Sequence, residues 1–339
     1  MQSYFRSTLS ALVLASSLAV SPALAQTPTQ YQIIDLGTLG GTQSFARSIN
    51  NQGQITGNAR TSGNQLHAFL WENGVMTDLG TLPGHSFSRG YSINEKGQIV
   101  GESDNNQSQA FLWSDGTMTN IGNLGLGTAV AHGNNARGQI VGASSTVAGL
   151  RAFLWERGEM VSLGTLGGNS SRAWAINNAG AIVGLARNTH GVSHAFLWQR
   201  GTMQDLGSLA GESGFSEAFS LNAAGAVVGR SAIPEGGQRA FLWWRGVMTN
   251  LGTVNELRFS RANAINNSRT IVGAASRFEG FSGTAVVWLA GQIFDLNTLA
   301  SAPGWVLTSA EGINDAGEIV GFGTLNGQTR AFLALPAVQ

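Results

Sequence analysis

The residues equipped for chemistry are few. A histidine stands beside two aromatic residues in the pentapeptide HAFLW, at 67–71 and again at 194–198. Such a cluster suits a sugar platform, a metal site or a packed core. Two carboxylates, Glu217 and Glu311, and one imidazole, His132, are of the types needed to cleave a polysaccharide by acid–base chemistry. That role requires the fold to bring them to catalytic distance. A short acid or amide also recurs: Asp35, Asp78, Asp205 and Asp295 align with Asn120, Ser162 and Asn250. Generic catalytic signatures are missing: there is no G-x-S-x-G elbow, no H-E-x-x-H and no phosphate-binding P-loop. The chain has no cysteine, which excludes a disulfide framework, thiolate zinc sites and a cysteine nucleophile. The turn at 314–318 has two acids nearby, too few hard ligands for calcium. No cofactor is expected.

Repetition decides how these residues are read. AFLW returns at 110–113, 152–155 and 240–243, AVVW at 285–288 and AFLA at 331–334. At the histidine position, His67 and His194 give way to Gln109, Arg151, Arg239, Thr284 and Arg330. A metal ligand or general base does not exchange with arginine in equivalent units, so a polar residue at a strand entry is expected. Six of the nine tryptophans occupy the last position of this motif, which marks them as core, with Met76, Met118, Met160, Met203 and Met248 read alike. The Asp/Asn/Ser position shares a short hydrogen-bonding side chain, pointing to backbone satisfaction and not acid–base work.

The elements that position these residues follow from a second repeat. The pattern Ile-Asn-x-x-Gly-x-Ile-Val-Gly starts at Ile49, Ile93, Asn134, Ile176, Leu221, Ile265 and Ile313, seven copies 41–48 residues apart. Each unit parses into four short strands; in the fourth these are 171–177, 181–186, 194–198 and 202–207, with glycine near each tight turn. Four-stranded units of this length, seven times over, predict an all-β, seven-bladed β-propeller. The chain opens on a lone fourth strand (31–37) and ends on a third strand (330–335) without its fourth; pairing the two closes the ring. Residues 26–339 are read as one propeller domain.

The HAFLW, DLGTLGG (35–41) and INNxGxIVG elements, recurring in fixed order over essentially this whole span, resemble the extracellular HAF-repeat family. That resemblance implies an exported repeat protein and carries no catalytic residues to transfer. Three copies depart from the pattern: Asn134 replaces an aliphatic residue, Arg269 a turn glycine, and the last unit ends AFLAL without tryptophan.

If the repeated positions build the scaffold, function belongs where the copies disagree. In the first strand of each unit, taken as innermost, two positions stay small (Ala46 and Ser48 in the first copy). Between them stand Arg47, Tyr91, His132, Trp174, Phe219, Asn263 and Glu311, and two residues earlier Phe45, Arg89, Val130, Arg172, Glu217, Arg261 and Ser309. Strand alternation puts both sets on one face. Convergence at the channel mouth would suit a polar ligand with a stackable face, a glycan or peptide; the competing reading is padding between blades. Connections between second and third strands and between units vary in length. Trp305 and Phe281 lie in two of the longest and are candidate exposed aromatics.

Residues 1–25 have the form of a signal peptide: Arg6, an apolar run too short to span a bilayer, and Ala23-Leu24-Ala25 before the cut. A secreted or periplasmic monomer is therefore expected, without membrane insertion. Net charge is zero with 11% charged residues, so no basic face suggests nucleic acid. The leading expectation is a non-enzymatic propeller binding a glycan or an extracellular or envelope protein. The alternatives are a polysaccharide hydrolase or lyase over the channel, and a structural envelope component.

Overall fold

The computed structural model describes residues 29–279 and 283–337. The signal-peptide segment and Phe281 lie outside the described residues. The observed fold is the expected one: seven four-stranded antiparallel blades arranged in a closed ring. In the fourth blade the strands are Gly167–Ile176, Ile182–Asn188, Ser193–Gln199 and Thr202–Asp205, from the channel outward. Strand Tyr31–Asp35 pairs antiparallel with Gln328–Pro336 and completes the seventh blade, with Tyr31 opposite Pro336 and Asp35 opposite Phe332. The only helical element among the described residues is one short 3-10 turn, Leu296–Thr298, capped by the Asp295 carboxylate.

Local chemistry sets the blade geometry. The outer hairpins turn on two left-handed residues in succession, such as Arg200 (φ 50°) and Gly201 (φ 84°). That pair of positive φ values is the turn whose twist matches a β-hairpin. Arg269, standing where other copies have glycine, also takes φ 66°, and its guanidinium stacks 4.7 Å from the Trp244 ring. The phenylalanines of AFLW and AFLA are completely buried, each wedged against an adjacent blade. The tryptophans correct the core reading in part. Trp243 and Trp288 are buried, whereas Trp71, Trp113, Trp155 and Trp198 are half-buried. Each lies directly across the ladder from a partly exposed methionine or Ile293, forming a cross-strand pair that closes the outer edge of the core.

The asparagine after the aliphatic residue of the repeat explains ring closure. Asn50 Nδ2 donates to the main-chain oxygen of Asn94, and Asn94 does the same to Asn135. The relay continues through Asn177, Asn222, Asn266 and Asn314, and Asn314 returns to Asn50 at 3.2 Å. Seven side chains thus form a hydrogen-bonded hoop through every blade. Each Oδ1 also accepts main-chain N–H groups of its own turn, as Asn94 does from Lys96 and Gln98 at 2.9 and 3.0 Å. The Asn134 departure has a role too: it accepts from Ser92 Oγ and donates to the Gln98 carbonyl of the preceding blade.

Candidate functional site

The seven variable residues share a structural cause. In every innermost strand the ladder skips one residue: Ala173 pairs with Gly184 and Ala175 with Val183, leaving Trp174 without a partner. The same irregularity isolates Arg47, Tyr91, His132, Phe219, Asn263 and Glu311. Each is the extra residue of a β-bulge, a device that re-aims a side chain away from the sheet. The bulge also explains the repeated Ile-Val-Gly. A Cβ on Gly184 would fall on the carbonyl oxygen of Arg172, and the matching glycines of the other blades face the same obstruction. Simple alternation, assumed in reading the sequence, is therefore interrupted at the very position that varies.

All seven bulge residues line one central cavity of about 420 Å³. Its wall is divided chemically. On one side Tyr91, His132, Trp174 and Phe219 form a continuous aromatic arc, with successive ring centroids 5.4, 4.3 and 6.2 Å apart. On the other, Asn263, Glu311 and Arg47 form a polar arc joined by Arg261. Glu311 accepts from Ser309 Oγ (2.5 Å), Arg47 (3.0 Å), Arg261 (3.3 Å) and Asn263 (3.4 Å). Burial alone would raise its pKa. The Arg47 and Arg261 charges and the Ser309 hydrogen bond outweigh that and hold the carboxyl below its ordinary value. On the aromatic side, burial and then the nearby Arg172 charge push His132 down to about 3, so its ring is neutral.

The position two residues earlier divides by blade. Arg261 lines the cavity. Arg172 lies 5.1 Å over the Trp174 ring and pairs with no carboxylate among the described residues. Arg89 instead turns to Glu102 at 2.6 Å and stacks on Phe87. Glu102 also accepts the Tyr91 hydroxyl at 2.7 Å; burial, followed by this neighbouring negative charge, raises the Tyr91 pKa. Glu217 accepts Trp174 Nε1 at 2.9 Å and two nitrogens of Arg230 at 3.0 and 2.8 Å. Glu102 and Arg230, which fix two of the cavity's rings, share one variable position, directly after the Ile-Val-Gly of the repeat, that sequence reading did not single out. Trp305 is set apart: it begins the strand Trp305–Ile313, packs edge-on to Phe332 at 6.1 Å, and does not line the cavity. A smaller groove of about 210 Å³ lies between the fifth, sixth and seventh blades and meets the channel at Arg261.

The polar partners of the HAF motif are structural. His67 Nδ1 contacts Asp78 at 2.9 Å, and His194 Nδ1 contacts Asp205 at 2.8 Å. Gln109–Asn120 and Thr284–Asp295 are the corresponding pairs in two other blades. At all seven Asp/Asn/Ser positions the side chain also accepts the main-chain N–H two residues on, as Asp205 does from Gly207 at 2.7 Å. Among the described residues no group of three or more histidines and carboxylates could hold a metal ion.

No protein-family model matches the chain, and no curated protein matches it. Solved structures do. The chain is similar to an oligogalacturonate lyase from Vibrio parahaemolyticus at 10% identity, covering 91% of this chain and 94% of that one with a TM-score of 0.59. It is also similar to the WD40 repeats of RRP9 at 11% identity, covering 91% and 99% with a TM-score of 0.55. At such identities the likeness concerns fold alone, and the fold it shows is the β-propeller.

Proposed function

We propose that this chain is an exported, non-catalytic propeller of the HAF-repeat type that binds a glycan in its central channel. One observation carries the reading: seven bulge residues line a single cavity as an aromatic arc facing a polar, charged arc. Aromatic faces take the apolar side of a sugar ring, while guanidinium and amide groups take its hydroxyls. The volume falls within the range of roughly 300–1,000 Å³ usual for small-ligand sites, which favours a saccharide over a folded protein partner.

The chemistry of the carboxylates supports binding without catalysis. A glycosidase needs one carboxyl protonated at working pH, through a raised pKa. Glu311 is held the opposite way by two arginines, and both Glu217 oxygens are taken by Trp174 and Arg230. His132 is too weak a base to serve in their place. The signal-peptide form of residues 1–25 supports export to the periplasm or medium.

The test is a glycan and envelope-extract panel. Trp174→Ala and Arg172→Ala are expected to abolish retention while circular dichroism and elution volume match the parent. Unchanged retention in both variants would remove the channel from consideration, and release of cleaved sugars by the parent would overturn the non-catalytic reading.

A further inference from the structure

The charge balance of the cavity names the ligand more closely, on the assumption that the channel is the glycan site. Beside the lumen, two arginines are each matched with a carboxylate. Arg89 has Glu102, and Arg230 holds Glu217 through two nitrogens. In the lumen, Arg47 and Arg261 share one carboxylate, Glu311, and Arg172, stacked on the lumen-lining Trp174, has none among the described residues. The Glu311 oxygens are already filled, one by Arg47 and the other by Ser309, Arg261 and Asn263.

The guanidiniums, by contrast, are far from saturated. Each offers five N–H donors. Arg47 uses Nη1 on Glu311, while its Nε is buried without any partner. Arg261 reaches Glu311 and Ser309 only through Nη2, at 3.3 and 3.4 Å, and its side chain is 43% exposed. Arg172 donates no hydrogen bond to a described residue and keeps its planar face on Trp174. Positive charge with spare, fork-shaped donors therefore faces a wall of aromatic rings. A planar fork matches a carboxylate better than it matches hydroxyls.

We propose that the channel ligand is an acidic saccharide of the uronic type, its ring face against Trp174 and its carboxylate bonded by the free donors of Arg47 and Arg261. Arg172, stacked on the same indole, adds the charge that draws an anion to that face. A neutral sugar would stack equally well but offer these donors only uncharged hydroxyls. A sulfate ester meets the charge and can also accept the guanidinium fork, so it is the competing anion that the measurement below distinguishes.

Titration calorimetry on the full chain tests this with oligogalacturonate and oligoglucuronate, their neutral galactose and glucose counterparts of equal length, and a sulfated oligosaccharide. Charge-assisted bonds of this kind correspond to roughly 10–100-fold in affinity. The uronates are expected to bind at least about tenfold more tightly than the neutral sugars, with the advantage shrinking as salt rises. Arg261→Gln should remove that advantage, weakening uronate binding by more than it weakens neutral-sugar binding. Arg172→Gln, which disturbs no ion pair, should reduce it without affecting folding. Equal binding of uronate and neutral sugars, or a preference for the sulfated one, would overturn the uronate assignment while leaving a glycan-binding channel in place. Failure of every saccharide to bind would overturn the channel reading itself.

Discussion

Replacing Asn94 by alanine is the sharpest probe of what holds the ring shut. Asn94 is 5% exposed, and its side chain makes four hydrogen bonds. Nδ2 donates to Asn135 O and Gln98 Oε1, both at 2.9 Å; Oδ1 accepts from Lys96 and Gln98 main-chain nitrogens. At a net contribution of about 1 kcal/mol each, the sum is about 4 kcal/mol. Lys96 is exposed, so its N–H recovers water and the expected loss falls to about 3 kcal/mol. At about 2 °C per kcal/mol for a chain of this size, melting should drop by about 6 °C. The control is the next residue. Asn51 also bonds across blades, to Asp315, but it is exposed, and two blades carry Ala136 and Ala223 at its position. Asn51→Ala should cost no more than about 0.5 kcal/mol. Urea unfolding followed by circular dichroism compares the two at constant m-value. Equal losses for both variants, or a loss below about 1 kcal/mol for Asn94→Ala, would refute the idea that the buried hoop closes the ring.

Gly184→Ala should destabilise by about 3 kcal/mol or more, because a methyl there collides with the Arg172 carbonyl. Gly201→Ala, in open space at φ 84°, should cost about 1 kcal/mol in the same melt. In the fourth blade, Asp205→Asn together with His194→Gln recreates the pair formed by Gln109 and Asn120. A double-mutant cycle should return a coupling of about 1 kcal/mol. Stability should also fall with acid in two stages. His132 titrates near 3 in the fold and 6.5 as its ordinary value, so the unfolded chain binds the extra proton and stability declines as pH drops from about 6.5 towards 3. Glu311, with its folded pKa depressed, contributes stability above the ordinary carboxylate range, lost as pH falls through its folded value. Urea midpoints against pH should lose the upper stage in His132→Gln and the lower in Glu311→Gln.

Blade number, strand order and closure by residues 31–35 were legible because glycine and the aliphatic pairs repeat with the blade. The capping role of Asp78 or Asp205 was legible too, since Asn120 and Ser162 substitute for it. Other features were visible but easily misread. The seven asparagines look like ordinary turn residues, and only their contacts with the following blade reveal the hoop. Likewise His pairs with Asp where Gln pairs with Asn, eleven residues apart, a correlation among the copies that foreshadows contact. The bulge was hidden, because a strand with one extra residue has the same local composition as one without. Glu102 and Arg230, which act on the lumen through Tyr91 and Glu217, were missed because their shared position after Ile-Val-Gly changes charge from blade to blade.

The bulge has an evolutionary consequence. A residue in the ladder answers to its neighbours on both strands, but a bulged residue has no opposite number. Substitution at Arg47, Tyr91 or Trp174 leaves the hydrogen-bonded frame of its blade untouched. The lumen is in effect a seven-letter word written on a fixed page. Gene duplication supplies the page by copying blades, and point mutation rewrites one letter at a time. The residues of the lumen can thereby change one at a time while the ladder of every blade is kept.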